Sequence, residues 1–481
     1  MAARIRRNVY SLADEAPALV WYRRAVGALK LLPRTQVGSW GYMAACHGIA
    51  NSVATPPGAA NLWRQCQHQT WYFLPWHRGY LAGFEAVVAE QVRRLGGPAA
   101  WSLPYWNYSD TANPRARQLP PAFRRRLMPD GSPNHLWAPR NAPVPPRTVL
   151  TLSPGDVTLG ALNAPNYTTA PGSVSPGFGG PQTGFSHFGS SNGRLESLPH
   201  NVVHVAIGGL MQDPNTAALD PIFWLHHCNI DRLWEVWRRR ISPPRDPSAA
   251  AWLTGVAFRL VRDGGTSFNF TSSQARNTLT LLHGYRYSGV TPAVPSLAAP
   301  AAAGAGTEEA AAMADSNANS ELMGASGAAV RLGAARTEAM IRRGPAAMAA
   351  VEEAAPSRRR HYLSLEGVTA KGSARDYKVF LDLPTDDRVP LEAGILATFG
   401  IGNASDPSGP HGGSGLTQTF DVTDAIEELG VEAMNFDNLR VTFEPIQRGA
   451  MEEIPSGYEY ADMMSGPPVD LIVGRISLYS E

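Results

Sequence analysis

Cysteine is scarce in this sequence: three among 481 residues, Cys46, Cys66 and Cys228. Three cannot build a disulfide framework, so a buried core has to hold the fold, and a reducing compartment is the default reading. An excess of charge is missing too. With 42 basic and 41 acidic side chains the formal net charge is +1, which offers no global field for nucleic acid or an anionic membrane. The short basic runs Arg238–Arg240 and Arg358–Arg360 read as solvated helix-end and linker charge. No stretch approaches the roughly 20 consecutive apolar residues that span a bilayer. The basic N-terminus reaches its first acidic residues without an apolar segment, so no secretory signal is expected. The chain is expected to be cytoplasmic, or exported without a signal of its own.

What is present changes character along the chain. Residues 1–291 are rich in Trp, Tyr and Phe and punctuated by Pro and Gly, which predicts helices joined by long loops. Leu19, Tyr22, Val26 and Leu29 recur at helical spacing near 17–31, and a second helix is expected from His77 to about Leu95. The Pro-, Gly-, Ser- and Thr-rich stretch from about 140 to 195 reads as extended surface loop. Residues 292–358 are dominated by Ala with almost no aromatic residue; lacking a large apolar face, they read as a linker. From 359 to 481, runs such as HYLSLEGV, YKVFLDL, TQTFDV and LRVTFEPI alternate between turn residues. They predict a small antiparallel domain resembling a β-sandwich.

The chemistry lies in the histidines. His200 and His204 are four apart, which on a helix puts them on one face. Downstream, Asp220-Pro221 is a helix start, and Phe223, His227 and Asp231 follow at successive turns. Phe223 can then pack on the His227 ring while Asp231 helps orient the surroundings. His226 falls about 100° away on the wheel and is expected behind the ligands rather than among them. An isolated pair of histidines at this spacing is as readily packing as ligand; a third on a capped helix tips the reading to metal. The first half carries a looser set, His47, His68 and His77, in which Pro75 separates the segment of His68 from the helix of His77. Two groups of three imidazoles, without bridging carboxylates, suit two copper ions and dioxygen, although spacing alone leaves zinc open.

These segments resemble the two copper-binding signatures of the tyrosinase, polyphenol oxidase and hemocyanin superfamily. HNVVH followed by DPIFWLHHCNIDRLW is similar to the second signature, and CQHQTWYFLPWH to the first. The resemblance spans about the first 290 residues and implies a mainly α catalytic domain, a helical bundle holding a dinuclear copper site. It implies copper ligation by His47, His68 and His77 on one side and His200, His204 and His227 on the other, with His226 outside the ligand set.

Further roles follow from the same resemblance. Cys66 corresponds to a cysteine that forms a thioether with the following copper ligand, His68. Glu196 and Asn201 match the pair that holds a water able to deprotonate monophenols; by itself Glu196 could equally serve the helix dipole. Val205 and Pro214 sit at positions that tune substrate choice. Tyr285 and Tyr287 match a closing tyrosine motif that packs on an N-terminal arginine such as Arg6. The region after 359 resembles the C-terminal domain of plant polyphenol oxidases, which implies latency until that domain is removed or displaced. The composition points to a bacterial source. The activity implied is ortho-hydroxylation of small phenols and oxidation of o-diphenols to o-quinones. A catechol oxidase or o-aminophenol oxidase without monophenolase activity is the alternative, followed by a hemocyanin-like oxygen carrier.

Overall fold

The computed structural model describes residues 4–185, 191–240, 245–290, 320–344, 359–384, 388–409, 413–430, 436–463 and 466–481. These divide into two compact units, each drawing on more than one stretch of chain. The first comprises Met1–Asn163, Leu198–Leu297 and Arg448–Ser465; the second comprises Ala164–Ser197, Ala298–Gln447 and Gly466–Glu481.

Five helices organise the first unit: α1 (Pro17–Lys30), α2 (Trp40–His47), α3 (Phe73–Arg94), α4 (Val202–Ile207) and α5 (Pro221–Arg240). The expected helices near 17–31 and 77–95 are α1 and α3. α3 begins two residues before Pro75, whose missing N–H is harmless in a first turn. It is buried almost along its whole length. Its glycines allow close packing: a Cβ on Gly79 would strike the Phe270 ring at 1.9 Å, and one on Gly83 the Val261 carbonyl at 2.2 Å. α2 is capped by Ser39, which accepts the Tyr42 N–H, and ends on His47. α5 starts where Asp220 accepts the Ile222 N–H at 3.0 Å, as the Asp-Pro signal predicts. Strand β1 (Arg4–Arg6) pairs in parallel with β4 (Tyr285–Tyr287), while β2 (Ala257–Arg262) and β3 (Thr266–Thr271) form a hairpin against α3.

The second unit is built on a ten-stranded sheet. Its members are β5 (Glu321–Ser326), β6 (Val330–Leu332), β7 (Thr337–Arg343), β8 (His361–Ala370), β9 (Tyr377–Asp382), β10 (Leu391–Leu396), β11 (Leu416–Asp421), β12 (Asn438–Pro445), β13 (Leu471–Val473) and β14 (Arg475–Ser480). All the pairings are antiparallel, in the order β10-β9-β12-β7-β5-β14-β8-β13-β6, with β11 also on β8. One hydrophobic core includes Leu363, Leu365, Val379, Leu381, Val441 and Phe443. The antiparallel expectation for this region is met, as one continuous hydrogen-bonded network.

Two sequence-based expectations need correction. Residues 320–344, inside the stretch read as linker, form β5–β7; each of these strands has one fully buried large side chain, Met323, Leu332 and Ile341. A single apolar anchor per strand, among Ala, Gly and Arg, leaves almost no alternation to read. The rest of that linker, 292–319 and 345–358, lies outside the described residues. The stretch from 140 to 195 is also more than surface loop. Leu152, Leu162, Tyr167, Phe178 and Leu195 are buried, and from Ala164 to Ser197 it belongs to the β unit. Among the described residues no helix is long and apolar enough to cross a membrane.

Candidate metal centre

Four helices, a loop and an irregular turn bring the histidines together. His47 ends α2, His77 lies one turn into α3, His204 is in α4 and His227 in α5. His68 sits in the loop before α3. His200 lies in a π-helical turn, Glu196–Asn201, interrupted by extended Leu198. The helix expected through both His200 and His204 is therefore broken upstream of His200, yet their rings remain 4.6 Å apart.

Hydrogen bonds fix which nitrogen faces inward in four of the rings, those of His47, His77, His200 and His204. His47 donates from Nδ1 to the Pro214 carbonyl, His77 to that of Phe73, and His204 to that of Met211, each at 2.8 Å. His200 donates from Nδ1 to Asn201 Oδ1 at 2.8 Å. With Nδ1 protonated, a neutral ring presents a bare lone pair at Nε2. The Nε2 atoms of His200 and His204 each stand 3.3 Å from Nε2 of His227, and those of His47 and His77 are buried without a partner. Lone pairs pointed at one another repel unless a cation lies among them. The ligand atoms of His200, His204, His226 and His227 all lie within 4.8 Å of one another; so do those of His47, His77 and His227, and those of His47, Cys66 and His68.

Burial enforces neutrality. It pushes the His47 imidazole down to about 4. His77, His204 and His227 are driven well below the ordinary histidine value, first by burial and then by neighbouring imidazoles. Between about 4 and the ordinary 6.5 the unfolded chain binds a proton at His47 that the folded chain refuses. This contribution to stability is full above 6.5 and drains away as the pH falls toward about 4. Denaturation midpoints of metal-free protein should decline across that window, and bound metal, which needs neutral rings, should be released over the same acid range.

The other residues singled out by sequence fall into place unevenly. Phe223 packs on His227 with ring centroids 4.1 Å apart. His226 stacks at 5.3 Å on His200 and receives the Tyr108 hydroxyl at Nδ1, 3.2 Å away; its Nε2 is buried without a partner. Glu196 and Asn201 are both buried, and Val205 is buried immediately after His204. Pro214 meets the site through its carbonyl on His47, and Gly48 permits that approach, since a Cβ there would lie 2.5 Å from the same oxygen. Asp231 acts on the surroundings of the site. Its carboxylate is bound by Arg78, Arg6, Tyr285 and Tyr287, so it ties β1, β4 and α3 to α5. The expected packing of Arg6 on the tyrosines is present, with its guanidinium carbon 3.6 Å from the Tyr285 ring centroid. Sequence reading missed Phe73, Met211 and Tyr108. Two of these act through carbonyls, which every residue type carries.

Residues 37–240 match the family model described as the common central domain of tyrosinase, and 319–481 match a domain of unknown function. A tyrosinase of Hahella sp. (strain CCB-MM4) is 35% identical over 506 aligned residues, covering 99% of both chains. The chain belongs to the tyrosinase and polyphenol oxidase family. Chloroplastic catechol oxidase B of Solanum tuberosum is 29% identical over 219 residues, covering 40% of this chain and 34% of that one. Among solved structures, latent apple tyrosinase superposes with a TM-score of 0.61 at 20% identity, covering 99% and 97% of the two chains, which establishes a shared fold. This family member is a copper-dependent phenol oxidase, with two copper ions as cofactor and dioxygen as co-substrate. The inward, neutral Nε2 atoms fit that cofactor.

Proposed function

We propose that the chain is a tyrosinase with both activities, hydroxylating monophenols and oxidising o-diphenols to o-quinones. His47, His68 and His77 hold one copper, and His200, His204 and His227 the other. The observation that carries this reading is the convergence of buried neutral imidazoles, with Nδ1 of His47, His77, His200 and His204 anchored to an oxygen. The copper pair supplies the binding and activation of dioxygen. The protein's own part is to hold the rings rigid, keep them unprotonated and handle the proton of the incoming phenol. Asn201 spends its carbonyl oxygen on His200, which leaves its amide N–H groups for a water. Glu196, opening the same turn, is the base through that water. Val205 and Pro214 shape access for the phenol, while His226, held by Tyr108, backs the His200 ring.

Glu196→Gln should lower oxygen uptake with tyrosine about 100-fold, the ordinary scale of a lost general base. Uptake with a catechol should change much less, because a catechol loses its proton more readily. Turnover of catechol alone, by protein cut in the Ala-rich stretch, would make it a catechol oxidase without monophenolase activity. Cys66, whose sulfur shares a 4.8 Å cluster with the His47 and His68 ligand atoms, forms a thioether to His68 in this proposal. A peptide joining the two residues and lighter by two hydrogens is the expected mass-spectrometric signature. The proposal includes latency imposed by the C-terminal β region, supported by an architecture shared with latent apple tyrosinase. Oxygen uptake before and after limited proteolysis tests it.

A further inference from the structure

Between β12 and β13 the chain leaves the sheet, and Arg448–Ser465 becomes part of the first, helical unit. We propose that this excursion is a strap that clamps Arg140–Ala142, and that Arg140–Ala142 is the positioning element for both helices of the second histidine triad.

The tripeptide is held on two edges. On its outer edge Ala142 donates its N–H to the Ala450 carbonyl and the Glu452 N–H donates to the Arg140 carbonyl, both at 2.7 Å. On its inner edge the Asn141 N–H donates to the Ile207 carbonyl at 2.8 Å. Asn141 Nδ2 reaches the Val205 and Ala206 carbonyls at 3.1 and 3.2 Å. Those three carbonyls are the last of α4, among the groups a helix leaves without internal donors. α4 carries His204, and Val205 is the access-shaping residue of the proposed function. Arg140 meanwhile makes a paired ion contact with Asp220 at 2.6 and 2.9 Å, and Asp220 caps α5, which carries His227.

Glycines mark both edges. A Cβ on Gly208, where φ is +69°, would meet the Asn141 side chain at 2.2 Å, and one on Gly209 the Pro139 carbonyl at 2.1 Å. On the strap, a Cβ on Gly449 would meet the Ala142 carbonyl at 1.9 Å. The strap is fastened at both ends. Arg448 pairs with both carboxylate oxygens of Asp156 at 2.9 Å, Glu459 pairs with Lys30 at 3.1 Å, and Tyr458 packs on Trp137 at 6.0 Å. Cutting the chain elsewhere, in the Ala-rich stretch for instance, leaves this clamp in place. Release of the strap is the event that frees the end of α4.

Gly449→Val in the full-length chain breaks the outer edge without touching a histidine. Hydrogen–deuterium exchange on metal-free protein reads the result independently of copper or phenol, so failure here is distinct from failure of the oxidase reading. Amides of 205–209 should exchange about tenfold faster, as should those of Ala142 and Glu452. Gly466→Ala, whose Cβ would meet nothing within 4 Å, should leave them unchanged. After copper loading, the variant should keep its metal while its catechol KM shifts more than its kcat. Freely exchanging strap amides beside unchanged 205–209 would overturn the clamp. Should Gly449→Val fail to fold, Asn141→Ala cuts the inner edge alone. It must likewise expose 205–209, and continued protection there would refute the proposal.

Discussion

His200→Ala is expected to cost the protein one or both coppers and to abolish oxidation of tyrosine and catechol together. His200 is fixed from every side. Nδ1 is tied to Asn201, the ring edge meets Phe73 at 4.8 Å, His226 stacks on one face, and Nε2 stands 3.3 Å from its counterpart on His227. A ring so fixed has given up its freedom before any metal arrives, and alanine removes both the ligand atom and the anchor that holds it. Losing a hydrogen-bond partner behind a ligand costs about 10–100-fold in metal affinity or activity; losing the ligand itself should exceed that. Asn201→Ala supplies the comparison, keeping copper at lower affinity with a loss inside that range. Metal analysis and oxygen uptake on the two variants check the order. If His200→Ala retained about two coppers and oxidised catechol normally, the ligand assignment would be wrong.

The parts of this architecture legible in the sequence are those where local chemistry and tertiary role coincide. Asp220-Pro221 starts a helix in any context, and Phe223 and His227, one turn apart, meet because helical geometry requires it. The strand runs of β9 and β11 alternate plainly because the sheet buries one side of them more than the other, whereas β8 is buried on both sides over His361–Leu365. The illegible parts depend on partners far away in the chain. β5–β7 contribute one anchor each and become strands only when β14, β13 and β12 respectively pair with them. The carbonyls of Phe73, Met211 and Pro214 that set the imidazole tautomers carry no side-chain signature. The strap looks like a turn-rich connection, yet its Gly449 matters because of where Ala142 lies. Asp231 is a related case. Helical spacing places it one turn beyond His227, but the groups that bind it, Arg6 of β1, Arg78 of α3 and Tyr285 and Tyr287 of β4, lie far away in the chain.

That cluster yields the second large effect: Asp231→Ala should destabilise the protein by about 3–5 kcal/mol, the usual result of removing one partner from a buried ionic network. Arg6 and Arg78 are fully buried, with Asp231 and Glu85 nearly so. Burial alone would raise the Asp231 carboxyl, but Arg78 and Arg6, with the Tyr285 and Tyr287 hydroxyls, outweigh it and hold the group below its ordinary 3.8. It is ionised at neutral pH. Its stabilisation is complete above the ordinary value and lost as the pH falls through the lowered one. Alanine leaves Arg6 to Glu85 and Arg78 to Glu235, and the Tyr285 hydroxyl loses its acceptor. Arg6 belongs to β1 and the tyrosines to β4, so the loss falls on the pairing of these two strands. At about 2–4 °C per kcal/mol for a domain of this size, the midpoint should drop by about 6–20 °C. Asp231→Asn keeps the shape and loses the charge, and should fall between. Copper per folded chain should survive in both variants, because none of the groups bound to Asp231 holds a histidine. Thermal unfolding of metal-free protein, paired with metal analysis of the loaded form, separates this effect from that of His200→Ala. A midpoint unmoved by Asp231→Ala would mean that Glu85 and Glu235 suffice for both arginines.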